Sequence, residues 1–174
     1  MSDQSSPTPM NDDEAAAFAE QVFDRARQGD AEMLGRLLDK GLPANLRNHK
    51  GDTLLMLACY HGHLDAVAVL LQHGADAQIA NDNGQLPMAG AAFKGDLAMV
   101  TLLVEQGVAV DSASTDGRTA LMMAAMFNRT AIVDYLLSKG ADAQRQDAKG
   151  VTALGAALAM GAVDTTAQLQ ALAG

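Results

Sequence analysis

The chain has 174 residues, 49% of them hydrophobic, enough to bury a core of ordinary size, yet aromatics are only 3% and Trp is absent, so that core must be built from Ala, Leu, Val and Met. The 12 basic against 21 acidic residues leave a formal charge of −9, the wrong sign for a protein whose main partner is nucleic acid or an anionic membrane. One cysteine excludes an intramolecular disulfide, and the setting of Cys59 in an apolar run predicts a buried small hydrophobe rather than a nucleophile.

Residues 1–10 hold two prolines and three serines and are expected to be disordered. The N-terminal stretch MSDQSSPTPMNDDE has no Lys, no Arg and no apolar run, so no secretory leader is expected. With every later apolar run cut short by glycine or charge, the expectation is a cytoplasmic protein. Order is predicted from Asn11, where Glu14 three residues on completes a capping-box pattern and Asp12 and Asp13 put negative charge on the first turn. That helix runs over 12–28, with Phe18, Val22 and Phe23 at helical spacing. Gly29 ends it. A second helix over 30–40 gathers Met33, Leu34, Leu37 and Leu38 on one face and closes at Gly41. The unit 11–47 lacks the turn motif that follows and reads as an N-terminal cap.

Beyond it one pattern repeats every 33 residues. Gly51, Gly84, Gly117 and Gly150 form one ladder, Gly29, Gly62, Gly95, Asn128 and Gly161 a second, and Gly41, Gly74, Gly107 and Gly140 a third. Three full units follow at 48–80, 81–113 and 114–146, each a polar turn ending in glycine, a short helix, a left-handed residue and a second helix. The first helices read TLLMLACYH, LPMAGAAFK and TALMMAAMF; the second read LDAVAVLLQH, LAMVTLLVEQ and TAIVDYLLSK. Val67, Leu70 and Leu71, then Val100, Leu103 and Val104, then Val133, Leu136 and Leu137 give each second helix one apolar stripe. Ala58, Ala91 and Ala124 recur where the first helices must approach closely. In the last unit, 147–174, Thr166 and Gln170 replace Val67 and Leu71, as a C-terminal cap requires.

At GDTLLMLACYHGHLDAVAVLLQHGADA (51–77) and GRTALMMAAMFNRTAIVDYLLSKGADA (117–143) the chain resembles the ankyrin repeat family. The resemblance spans residues 13–174 and implies an all-α ankyrin repeat solenoid of five helix-turn-helix units, with β-hairpin-like turns and a concave face. The family's TPLH tetrad appears here as TLLM, LPMA, TALM and TALG, so its Thr to His hydrogen bond is missing and Met56 and Met122 substitute packing for it. The TALM spelling resembles small free-standing bacterial ankyrin proteins, some of which accompany stress-related or redox enzymes.

The resemblance implies a protein-protein interaction module, with no enzymatic activity and no cofactor, that binds another protein through turn tips and the two residues preceding the left-handed residue of each unit. Those pairs are Tyr60 and His61, Phe93 and Lys94, Met126 and Phe127, and Ala159 and Met160; the turns add Asp52, Gln85 and Arg118. Aromatic, Met and Arg side chains are those enriched at interface cores. The competing reading has Phe93 and Phe127 folded back as local packing. The expected role is adaptor, inhibitor or accessory factor linked to stress response, acting as a monomer, with neither nucleic acid nor membrane as partner. Two other readings are a metal-binding or enzymatic accessory using the histidines, and a module that self-associates along the apolar row. His49, His61, His63 and His73 fall at separate turn and helix-end positions with no Cys or carboxylate at ligand spacing, so no metal is expected. Asn81-Asp82-Asn83-Gly84 imitates part of a calcium loop but lacks its closing Glu and is followed by Pro87, which favours a turn.

Overall fold

A computed structural model describes residues 9–173 of the chain. Of the stretch 1–10 expected to be disordered, residues 1–8 lie outside the described residues. Helix α1, Asp12–Gln28, starts on the anticipated capping box: the Glu14 amide donates to the Asn11 side chain at 2.9 Å, and the Asn11 amide donates to the Glu14 carboxylate at 3.0 Å. Helix α2, Ala31–Asp39, packs beside it. Four further pairs follow: α3 Leu54–Tyr60 with α4 Leu64–Gln72, α5 Pro87–Lys94 with α6 Leu97–Glu105, α7 Ala120–Met126 with α8 Thr130–Ser138, and α9 Ala153–Met160 with α10 Val163–Gln170, which runs into a 3-10 turn at Ala171–Ala173. The all-α solenoid expected from the repeat is what the chain forms.

Three of these pairs begin the same way. Thr53, Thr119 and Thr152 accept hydrogen bonds from the amides of Met56, Met122 and Gly155 at 3.1, 3.3 and 3.2 Å, satisfying a donor that the first turn leaves free. Leu86 occupies that position in α5 and cannot do so; Pro87, already fixed at a helical φ and lacking an N–H, opens the helix instead. Successive turns are stitched by backbone bonds from Asp82 to Lys50, Thr115 to Gly84 and Ala148 to Asp116, at 3.1, 3.2 and 2.9 Å. Gly117 is required there twice over, because its φ is +81° and a Cβ would meet the Ala148 amide at 3.1 Å.

Asn128 adopts φ 57° where the other units have glycine. Its side chain explains the exchange. Helix α10 has Ala162 at its N-cap and no cap of its own. The Asn128 carbonyl oxygen accepts from the amides of Asp164 and Thr165 at 3.1 and 3.0 Å, while its amide donates to the Asp164 carboxylate at 2.8 Å. The preceding unit thus supplies the missing cap.

Val67, Leu70, Val100, Leu103, Val133 and Leu136 are fully buried between units, with Leu71, Val104 and Leu137 half-buried at the edge. Ala58, Ala91 and Ala124 are buried where the first helices touch, and their small size lets α3, α5, α7 and α9 approach more closely than α4, α6, α8 and α10 do. The stack therefore curves with the first helices on its inner side. Cys59 is buried, and burial, with the Asp96 charge, pushes its thiol pKa far up, so it serves as a core hydrophobe. At the C-terminal end Thr166 is half-buried and Gln170 exposed, as a cap requires, whereas α9 leaves Leu158 exposed at the position where the next unit covers Cys59, Ala92 and Ala125. No helix among the described residues is long and apolar enough to cross a membrane.

Candidate functional site

Helix length dictates where the site residues fall. Each first helix begins at a turn tip and ends about 10 Å away, so the turn residues and the paired positions form two parallel bands along the inner side. Tyr60 is 53% exposed, Phe93 42% and Met160 54%, while His61 and Lys94 are also exposed and Met126 and Phe127 half-buried. A chain with so few aromatics that leaves two of them open to solvent is spending apolar area outside its core.

The band of paired positions is tied together from unit to unit. The Lys94 ammonium lies 4.2 Å from the centre of the Tyr60 ring and donates to the Tyr60 carbonyl. Phe93 and Phe127 meet edge to face with centroids 4.6 Å apart. The Arg129 guanidinium donates twice to the Phe93 carbonyl, at 3.2 and 3.3 Å, and His63 Nε2 is 2.8 Å from the Arg27 carbonyl. The carbonyls of Arg27, Tyr60 and Phe93 occupy one repeat position at the end of successive first helices, where backbone carbonyls lack helical partners and the macrodipole is negative. Each is met by a side chain of the next unit, two of them by cations. In the last unit the Thr165 hydroxyl donates to the Ala125 carbonyl instead, at 2.7 Å. Lys94 therefore joins adjacent units while lining the exposed band, and the Phe93–Phe127 contact spans two units without hiding Phe93.

The turn band is braced similarly. Asp52, half-buried, accepts from the Asn81 side-chain amide at 2.9 Å, and the same amide donates to exposed Gln85 at 3.1 Å. Half-buried Arg118 pairs with Asp116 at 3.3 Å and reaches Asp147 at 3.9 Å. The hydrogen bond from Ser114, together with Arg118, holds the Asp116 carboxyl below the usual range.

The four histidines do not converge. His61 and His63 rings stack 6.2 Å apart, but His63 is directed at Arg27. His73 contacts the Val69 carbonyl at 2.7 Å and Asp39 at 3.0 Å. Among the described residues no three His, Cys, Asp or Glu side chains gather as a metal would need. Desolvation, then the neighbouring His63, Lys94 and Arg27, lower the His61 pKa.

The sequence gives Arg129 no structural role and marks Asn128 only as a left-handed stand-in for glycine, not as a cap for the next unit. Their signal was available in principle, since both lie one 33-residue step from positions of known role, but their bonds cross between units and local spacing does not reveal them.

A family model described as ankyrin repeats (3 copies) matches residues 23–114 and 88–171. A protein of Pseudomonas aeruginosa named as an ankyrin repeat protein is 61% identical over 62 residues, 36% of this chain and 36% of that protein. A protein of Oryza sativa subsp. japonica named as an E3 ubiquitin-protein ligase is 48% identical over 42 residues, 24% of this chain and 8% of that one. In each case the match spans well under two thirds of the relative's length.

Proposed function

Since the chain belongs to the ankyrin repeat family, we propose that it is a protein-protein interaction module whose partner seats on the inner band formed by Tyr60, His61, Phe93, Lys94, Met126, Phe127 and Met160, with Asp52, Gln85 and Arg118 at the rim. The observation that carries this reading is the exposure of Tyr60 and Phe93 at one repeat position, with exposed Met160 at the position next to it, in a chain with few aromatics. Aromatic and Met side chains of this kind contribute most when a partner desolvates them. The cross-unit contacts of Lys94 and Phe127 hold two of these rings in place before binding, so little side-chain entropy remains to be lost on association. The role is that of a bacterial adaptor, inhibitor or accessory factor, working as a monomer in the cytoplasm and linked to stress response.

Capture from a lysate of the source cells tests this. The wild-type chain and a Tyr60→Ala/Phe93→Ala variant are immobilised at equal amounts after their unfolding midpoints are compared. The variant should unfold slightly earlier, having lost the ring contacts with Lys94 and Phe127, but remain folded at the assay temperature and lose a protein that the wild type retains. An identical set of retained proteins on both would remove the inner band as the binding surface.

A further inference from the structure

The opposite side of the stack has its own chemistry. Helices α4, α6, α8 and α10 carry Asp65, Glu105, Asp134 and Asp164 and not one Lys or Arg. Asp134 and Asp164 are engaged by Gln168 and Asn128. Asp65 and Glu105 are paired with no Lys, Arg or His among the described residues. Both line an open groove of about 620 Å³ between α4 and α6. Its walls include Leu64 and Leu97, 39% and 38% exposed, and the small side chains of Ala68 and Ala98. Small side chains flanked by leucines leave a channel into which the ridge of another helix can settle.

Glu105 makes the groove more than an apolar seam. It ends α6, where the macrodipole disfavours an anion, while the equivalent positions Gln72 and Ser138 are neutral. A cation brought to that end would relieve the repulsion. One repeat on from Asp65 is Ala98, and Glu105 lies two helical turns beyond it, about 10 Å along the groove. We propose that this groove is a second docking surface, which takes an amphipathic helix of a partner protein bearing an apolar ridge and two Lys or Arg residues set two turns apart.

The probe is a labelled helical peptide with Leu at i, i+3, i+4 and i+7 and flanking Lys two turns apart, titrated into the full chain and read by fluorescence anisotropy. Controls are the same composition in scrambled order and a version with Glu for Lys. The ordered Lys peptide should bind roughly tenfold or more tightly than either control, and Asp65→Lys/Glu105→Lys should remove that advantage. Glu105→Lys alone relieves the helix-end repulsion, so it keeps the test sound if the double variant folds poorly; it should weaken binding in the same direction. The Tyr60→Ala/Phe93→Ala variant should bind the peptide as the wild type does, which separates this surface from the inner band. Equal binding of the scrambled peptide, unchanged binding after charge reversal, or loss of binding in the Tyr60/Phe93 variant would each overturn the proposal.

Discussion

Tyr60 and Leu103 differ less in chemistry than in where the stack puts them. Leu103 is fully buried between units, so Leu103→Ala should cost about 2 to 5 kcal/mol in denaturant unfolding, through lost transfer energy and the cavity left behind. Tyr60→Ala loses an exposed ring and its contact with Lys94 and should cost under about 1 kcal/mol; a larger loss would place Tyr60 in the core. Tyr135 offers the reverse case. Its hydroxyl is buried with no hydrogen-bond partner among the described residues, so Tyr135→Phe should be neutral or stabilise by about 1 kcal/mol in the same assay. Histidine titration followed by NMR gives a further check. The Val69 carbonyl and the Asp39 carboxylate raise the His73 pKa, whereas desolvation and neighbouring cations lower that of His61, so their midpoints should fall on opposite sides of the ordinary value of about 6.5. For His73 the folded pKa exceeds the unfolded one, so its contribution is complete below the unfolded pKa and disappears as pH rises through the folded value. At this scale Cys59 and the buried leucines were legible from apolar spacing. The roles of Lys94 and Arg129 were not, because a side chain's partner one unit away leaves no trace in local sequence.

Individual helices are set by short signals, and most of these can be read directly. Asn11 with Glu14, the threonines at 53, 119 and 152, and the left-handed residues at 62, 95, 128 and 161 each act within a few positions, which is why helix ends could be placed before the fold was known. Asn128 shows the limit of that reading. From sequence it is a tolerated substitute for glycine; in the fold it caps α10. Asn128→Gly keeps the left-handed geometry at lower strain but removes those bonds, so amide exchange at Asp164 and Thr165 should accelerate roughly tenfold. Unchanged protection at those two amides would mean that α10 is held by packing alone.

The curvature of the whole molecule follows from unequal layers: alanines draw the first helices together, while the second helices stand further apart. That inequality separates the two faces chemically. The inner side shows Tyr60, Phe93 and Met160 with Lys94 and Arg129 nearby, and the outer side shows carboxylates and two part-exposed leucines. The 33-residue period was enough to foretell the stack, because identical layers can bury identical stripes only by piling in register. It could not foretell that the cations holding the inner band together come from the following unit, nor that the outer groove ends in Glu105, which pairs with no cation among the described residues. If recognition runs through the inner band, amide hydrogen exchange of the chain bound to its captured partner should slow at the last turns of α3, α5 and α7, around Tyr60, Phe93 and Met126. Exchange at those turns that is the same with and without the partner would contradict the account.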